Sequence, residues 1–383
     1  NAFLETKVFE ETNDNINKGK ELLFMPNDLH EMHLQEAKYE KAKYKIVLFG
    51  ALIDGRRATV VIDGIKPYFE VVIPKDTDTS DFAFLLNAEL KRNQYMEPTN
   101  YELVSGRQFK GYSKNKRSYV KFYFNKIALR KEAIKFVREK GLETTSDDTS
   151  CYYRVVCRDH FNTFSSWANL NTYKVRTYTN IKGSVFSVNM SNYKPCMEDI
   201  TKNIQLAKDN VMTCCWDIET FSPDGQLPIP DNLEHRMFMI GVTFQWHHAK
   251  DQLLRICLVD HPCDPRPNYL TIVCEDEKKL IKAFGKVVYK MKPEIYLGFN
   301  DSDYDWPWLI KRAYHYSGTL TFLAQCFDAT NPWQGYDDEK IMKYNFKKEH
   351  VKLEADAYAD GYTLTFPGYI NIDVRTIFRQ LYP

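Results

Sequence analysis

The sequence has no C-x-x-C pair among its nine cysteines, and no Cys/His spacing of the kind that holds zinc. That pattern gives no sign of a zinc module. The thiols, the adjacent Cys214 and Cys215 included, read as reduced cysteines of an intracellular protein. No apolar run approaches the length needed to cross a bilayer, and no signal peptide opens the chain. Internal repeats and low-complexity tracts are absent as well. Net charge is also missing: 52 Lys and Arg stand against 51 Asp and Glu, leaving +1. A stand-alone duplex binder carries a larger basic excess. Any nucleic-acid contact must then run through local grooves or through a channel built elsewhere. The first residue is Asn1 rather than Met, so the numbering is expected to begin inside a longer product.

What is present describes an ordinary globular chain with an aromatic bias. At 383 residues it is long for one core, so two or three domains are expected. Tyr and Phe number 25 and 24. Most such rings pack cores, and exposed ones can stack on unpaired bases.

The first 30 residues are polar, with Leu22–Pro26 as the first apolar anchor. From Tyr44 the text becomes strand-like, alternating β-branched and aromatic residues with turn signals at Asp54-Gly55 and Asp63-Gly64. Gly111–Phe124 reads as a further basic and aromatic strand, residues 128–140 as an amphipathic helix, and Cys151–Phe161 as another strand. These elements make a β-rich mixed domain over residues 1–205. The text then changes rhythm. Val211–Thr220 is a buried-type strand ending in acids, and a Pro/Gly loop follows over Ser222–Asn232. Arg236–Trp246 and Gln252–Asp260 suit an antiparallel pair. Residues 275–291 form a helix with acids at its start and lysines at its end. Glu294–Phe299 is a strand that gives way to another helix. That order predicts an α/β layer with a mixed sheet over residues 206–383.

Two acidic features carry chemistry. Asp217 and Glu219 stand two apart at the C-terminal end of a strand, so alternation puts both on one face, close enough to share a cation. Solvated acidic strand ends are common, and the pair alone says little. Asp305, 88 positions later, lies at a second strand-to-helix junction, where α/β sheets place ligands. Three convergent carboxylates are what two-metal hydrolysis of a phosphodiester requires: one ion activates water and the other stabilises the leaving oxygen.

The combination resembles the proofreading domain of family B DNA polymerases. That family's first exonuclease motif, D-I-E-T, stands as Asp217-Ile218-Glu219-Thr220. Its second, N-x-x-x-[FY]-D-x-P, stands as Asn300, Tyr304, Asp305 and Pro307, with Trp306 in the variable position. Phe49-Gly50, Pro67-Tyr68-Phe69 and Gly111-Tyr112 match landmarks of the family's N-terminal domain, and Asp147–Asp159 followed by Ser166-Trp167 matches the lead into the exonuclease. Leu22–Pro26 with the following acid and His-Glu, the 147–154 segment, Gly298–Pro307 and the final Gln-Leu-Tyr-Pro are similar to the branch found in large nucleocytoplasmic DNA viruses, the African swine fever virus-like polymerases. The resemblance implies a ribonuclease-H-like exonuclease fold beside a β-rich N-terminal domain. It implies two Mg²⁺ ions, replaceable by Mn²⁺, on Asp217, Glu219 and Asp305. It also implies that Asn300, Tyr304 and Phe221 contact the frayed 3′ end. The plain alternatives are a turn cap for Asn300 and core packing for Tyr304. Implied partners are a DNA primer-template with its single-stranded 3′ end, the remaining polymerase segments and a processivity factor, in a viral factory or nucleus of the host cell and away from membranes.

The third motif of the family is Y-x-x-x-D on a helix. The one such string here, Tyr369 to Asp373, follows Pro367-Gly368 and alternates at Ile370 and Ile372, so it is expected to be a strand and a decoy. It also fits the family's G-x-x-x-x-D strand. The third motif and the polymerase palm motifs are accordingly expected beyond Pro383, in a truncated product or a naturally split polymerase. On its own the chain is then an exonuclease one ligand short. A non-catalytic scaffold that holds template and partner chains is the alternative. An independent nuclease using a local Asp is a third. His247-His248 and His261-x-Cys263 lack further ligands at fixed spacing and read as surface residues. The basic stretch Arg107–Arg117 suits either a template contact or a solvated loop, and Lys343–Lys352 a surface face. Cys326–Asp338 is an aromatic and acidic loop without assignable chemistry.

Overall fold

The computed structural model describes residues 6–35, 41–107, 114–147, 151–178, 180–198, 203–331, 335–352 and 358–382. The Gly111-Tyr112 landmark, residues 108–113 of the basic stretch, residues 148–150 and residues 332–334 of the aromatic loop lie outside these ranges.

The first half is β-rich, as expected, and its strands form two sheets. A seven-stranded sheet takes Leu22–Leu34, Lys43–Leu52 and Arg57–Asp63 as its antiparallel centre, and Val185–Asn189 adds parallel to the third. The turn after Asp63 needs Gly64, whose φ is +82°. A four-stranded sheet orders Asn100–Arg107, Lys116–Tyr123, Tyr68–Val72 and Thr144–Thr145, with helices Thr79–Lys91 and Ile127–Glu139 between its strands in the chain. Phe69, Phe122, Phe124, Ala133, Ile134 and Val137 form its core. The Ile127–Glu139 helix matches its expectation with one addition. Arg130 is fully buried, donating to the carbonyls of Tyr68 and Ser146 at 2.6 Å each.

Two elements differ from the sequence reading. Cys151–Phe161, expected as a strand, contains a helix over Tyr152–His160. Tyr152, Val155 and Val156 are the buried residues, an i, i+3, i+4 set that only a helix places on one side. β-branched composition had outweighed that period. Thr6–Lys18, read only as polar, is a helix followed directly by the Leu22–Leu34 strand.

The second half carries one mixed six-stranded sheet. Its strands are β1 (Met212–Phe221), β2 (Arg236–Trp246), β3 (Leu254–Val259), β4 (Leu270–Val273), β5 (Ile295–Gly298) and β6 (Ile370–Asp373), in the spatial order β4-β3-β2-β1-β5-β6. β1/β2 and β2/β3 are antiparallel; β5 and β6 add parallel beside β1. Helices α1 (Glu277–Met291), α2 (Asp305–His315) and α3 (Thr319–Phe327) supply most of the helical side of the core. Leu280, Ile281, Phe284 and Val288 of α1 are buried, as the helical period requires. A further helix, α4 (Val374–Leu381), follows β6 directly. Phe346–Lys352, read as a surface face, pairs with Tyr358–Leu364 in a separate antiparallel hairpin.

The two halves are fastened at Glu294, just before β5. Its buried carboxylate accepts the Met212 N–H at 2.8 Å and the Asn27 amide at 3.1 Å, and pairs with Arg57. Asp28 accepts the Gly368 N–H at 2.8 Å. Glu294 precedes the first residue of β5, so the latch lies at the end of the sheet opposite the acidic strand end of β1.

Candidate active site

Along β1, Trp216 and Ile218 are buried while Asp217 and Glu219 are exposed on the opposite face. The buried side is fixed by aromatic packing: Trp216 lies 4.7 Å from Trp306 and 5.2 Å from Phe284, centroid to centroid. Both carboxylates are thereby turned outward together. A register shift between Glu219 and Thr220 ends the regular pairing with β2 just past them.

Asp305 is the first residue of α2, where the helix N-terminus favours a carboxylate. It is 4% exposed. Its Oδ1 accepts the backbone N–H of Ile218 at 2.9 Å, which places it between Asp217 and Glu219 on the neighbouring strand. Burial pushes the Asp305 carboxyl up to about 7, and the nearby Asp217 and Asp373 add to the rise. Partial loss of hydration beside Asp305 raises Asp217 as well, against the pull of hydrogen bonds from the Ile218 amide and the Asp305 carboxyl. The two carboxyl groups therefore adjoin and favour holding a proton or a cation over carrying two bare charges.

The structure brings Asp217 and Asp305 together and sets Glu219 on the same strand face. Among the described residues no three His, Cys, Asp or Glu side chains converge as a group that could hold a metal. The fit to a cation thus rests on the Asp217–Asp305 pair, with Glu219 two residues along the strand.

Tyr304 precedes Asp305. Its hydroxyl shares a 2.6 Å hydrogen bond with Thr220 Oγ1, and its ring leans on Trp308 at 5.9 Å. Burial raises the phenol. Asn300 has φ of +67°, its N–H donates to Asp373 Oδ1 at 3.0 Å, and its side-chain oxygen accepts from Arg375. Phe221 is 48% exposed at the end of β1, under the Arg236 guanidinium at 5.8 Å. His247 and His248 both face Asp209, and His261 faces Asp260.

Residues 145–355 match the family profile described as "DNA polymerase family B, exonuclease domain". The chain belongs to that family. It is 30% identical over 369 residues to the "DNA polymerase beta" of African swine fever virus (isolate Pig/Kenya/KEN-50/1950), a match covering 94% of this chain and 29% of that protein. To the "DNA polymerase" of Acanthamoeba polyphaga mimivirus it is 23% identical over 320 residues, covering 76% of this chain and 18% of the relative. The solved family B DNA polymerase of Pyrobaculum calidifontis superposes with a TM-score of 0.54 at 17% identity, over 92% of this chain and 36% of that one. The chain thus spans less than a third of the length of the African swine fever virus relative. The fold is the family's: mixed α/β, with a ribonuclease-H-like sheet in the exonuclease domain. Divalent metal ions are the general cofactors of that domain.

Two constellations in the exonuclease domain escaped the sequence reading. Glu277 at the start of α1 and Arg312 on α2 are 6% and 2% exposed and form a buried ion pair. Glu277 also accepts the Met237 N–H at 2.9 Å and the Tyr316 hydroxyl at 2.7 Å. Arg312 donates to the carbonyls of Pro230 and Asn232 at 3.4 and 3.3 Å, pinning the Pro/Gly loop that follows the acidic strand. The available signal was an Arg four residues after Trp308 and three after Leu309, on the apolar side of α2. The second constellation is Asp301, 1% exposed, a buried carboxyl beside the indole N–H of Trp306 and the Ser302 amide. Burial, then Asp373 and Asp305, push it up to about 7. Nothing in its spacing distinguishes it from its solvated neighbour Asp303.

Proposed function

We propose that this chain is the N-terminal and proofreading portion of a viral replicative family B DNA polymerase. Residues 1–205 form its N-terminal domain and residues 206–383 its 3′→5′ exonuclease domain. The observation that carries the reading is the hydrogen bond from Ile218 N–H to Asp305 Oδ1, which joins the first and second acidic motifs at one point. On this reading Asp217, Glu219 and Asp305 hold two Mg²⁺ ions, or Mn²⁺. Bound there, the ions would supply a nucleophilic water and charge stabilisation at the leaving 3′-oxygen.

The chain's own residues would act as follows. Asp217 and Asp305 would present their adjoining carboxyl groups to the cation, which would relieve the repulsion between them. Tyr304, braced by Thr220, and Asn300 orient the terminal nucleotide of a primer strand. Phe221, exposed at the strand end, offers a ring against an unpaired base. A further metal ligand would come from the remaining polymerase segments. Those segments, a primer-template with a single-stranded 3′ end, and a processivity factor are the partners of this reading.

The absence of a three-ligand group among the described residues favours a second reading, a scaffold piece that binds template and partner chains without hydrolysing them. The deciding experiment measures Mg²⁺-dependent 3′→5′ removal of a mispaired nucleotide by the chain, alone and with the remaining segments added. Activity that appears or rises on addition, and is lost in Asp217→Ala and Asp305→Ala, supports the nuclease. Full activity in both variants would overturn the metal assignment, and DNA binding without cleavage in every combination would favour the scaffold.

A further inference from the structure

Asp373 belongs to the only Y-x-x-x-D string, yet it closes a strand rather than sitting within a helix. It stands opposite Gly298 in the β5/β6 register, beside the turn that carries the second motif. Its Oδ1 accepts the Asn300 N–H at 3.0 Å and the Arg375 N–H at 2.9 Å. Its Oδ2 accepts the Ser302 hydroxyl at 2.6 Å and faces the Ser302 N–H at 3.4 Å. One carboxylate thus bridges two residues of the turn and caps the first turn of α4. Arg375, two residues on, donates to the Asn300 side-chain oxygen and approaches Asp303 at 3.5 Å.

The turn needs such fastening. Asn300 takes a left-handed backbone conformation that side-chain-bearing residues adopt at a cost. Two glycines leave room for it: a Cβ on Gly298 would lie 2.4 Å from Asp301 Cβ, and one on Gly361 would lie 2.3 Å from Ser302 Oγ. The Tyr362 N–H donates to the Ser302 carbonyl at 2.7 Å from the other side. The turn is therefore held at both faces, and Asp305 follows it directly.

We propose that Asp373, assisted by Arg375, is a positioning residue of the exonuclease: it fixes the Asn300–Tyr304 turn so that Asp305 reaches the Ile218 amide and Asn300 faces the 3′ end. This rests on reading Asp217 and Asp305 as metal carboxylates. Replacing a partner that orients a metal ligand typically lowers metal affinity or activity about 10- to 100-fold.

The test compares the wild-type chain with Asp373→Ser, Asp373→Asn and Asp217→Ala. Serine remains a good N-cap for α4 but offers one hydroxyl where two oxygens are needed. Three quantities are read: Mn²⁺ affinity from the paramagnetic resonance of free Mn²⁺, hydrogen–deuterium exchange at Asn300 and Ser302, and kcat and KM on single-stranded DNA with the remaining segments present. Asp373→Ser is expected to keep the wild-type Tm while Mn²⁺ affinity falls about tenfold. Exchange at both amides accelerates by a similar factor, and kcat drops with KM unchanged. Asp373→Asn, which retains one acceptor oxygen, falls between serine and wild type. Wild-type affinity and exchange in Asp373→Ser would overturn the proposal, because capping alone would then be its role. If Asp217→Ala binds Mn²⁺ as well as wild type, the metal reading is lost, and the two exchange rates still decide whether Asp373 holds the turn.

Discussion

The backbone N–H of Ile218 lies 2.9 Å from Oδ1 of Asp305, a hydrogen bond between a strand and a helix start 87 residues apart. On the proposed reading it leaves Asp305 Oδ2 and the adjoining Asp217 carboxyl for a cation, which would make Asp305 structural as well as chemical. Asp305→Asn preserves an acceptor of the same shape for the Ile218 amide. Asp305→Ala removes it and leaves a buried N–H unpaired, which costs about 1–3 kcal/mol. Both variants are expected to lose Mg²⁺-dependent 3′→5′ hydrolysis, by at least two orders of magnitude if metal placement is the mechanism. Urea unfolding should separate them, with Asp305→Asn at or above wild-type stability at pH 8 and Asp305→Ala below it.

The pH dependence follows from the same burial. Asp301 and Asp305 are both raised to about 7 from an ordinary carboxylate value of 3.8. Between those values the folded chain binds more protons than the unfolded chain, so these groups make stability fall as pH rises. The loss begins near pH 4, continues to about pH 7 and is complete above it. Without divalent metal the chain should therefore be more resistant to urea at pH 5 than at pH 8. Asp301→Asn should flatten that slope, and millimolar Mg²⁺ should restore stability at pH 8 in wild type but not in Asp305→Asn. A slope of the opposite sign over this window would contradict the burial of these two carboxyls.

Much of this site was legible because its logic is local. Trp216, Asp217, Ile218 and Glu219 alternate between core and solvent, and that alternation is visible in the text of the strand itself. The strand character of Ile370–Asp373 was likewise readable from Ile370 and Ile372, which kept Asp373 out of the helical third motif. What the text hid was partnership at a distance. Asp373 bonds residues 73 and 71 positions away, and Glu277 bonds an arginine 35 positions away. Neither spacing has a period to detect. The Tyr152–His160 helix was lost for a different reason: its tyrosines and valines favour strands by composition, and only the burial of Tyr152, Val155 and Val156 shows the helical period.

Gly298 tests how tightly the second motif is packed. A Cβ there would meet Asp301 Cβ and Cγ at 2.4 Å. Overpacking of this kind costs about 1–3 kcal/mol, and here the displaced residue belongs to the turn that delivers Asp305. Gly298→Ala is expected to lower stability by that amount and to weaken Mn²⁺ binding in parallel. Unchanged Mn²⁺ affinity in a destabilised variant would show that the turn shifts without moving Asp305.

The Glu277–Arg312 pair should matter more to the loop than its distance from the acids suggests. Arg312→Met removes the guanidinium from a buried carboxylate and releases the carbonyls of Pro230 and Asn232. Stranding one member of a buried ion pair costs about 3–5 kcal/mol. Glu277→Gln with Arg312→Met leaves no uncompensated charge and should recover part of that loss. Limited proteolysis reports the loop: cleavage between Ser222 and Asn232 is expected to rise in Arg312→Met, and an unchanged cleavage rate there would show that the loop is held by other contacts.

Glu294 couples the two halves of the molecule, so its removal should be visible as lost cooperativity rather than only as lost stability. Its carboxylate joins Asn27 and Arg57 of the first sheet to Met212 at the start of the acidic strand. Burial disfavours the charged Arg57 guanidinium, and the Glu294 carboxylate beside it offsets that cost within the junction. Glu294→Ala leaves the Met212 N–H without its acceptor and Arg57 without its counter-charge, held only by the carbonyls of Lys292 and Asn210. Because Arg57 retains partial access to solvent, the expected cost is about 2–3 kcal/mol rather than that of a fully buried pair. Glu294→Gln keeps one acceptor oxygen, for Met212 or Asn27 but not both, and should cost less than Glu294→Ala. Scanning calorimetry is the measurement that separates coupling from simple destabilisation. One cooperative transition in wild type should become two overlapping transitions in Glu294→Ala, with the exonuclease sheet and the N-terminal sheet melting apart. A single transition merely shifted to lower temperature would place the coupling in the Asp28–Gly368 contact and its neighbours instead.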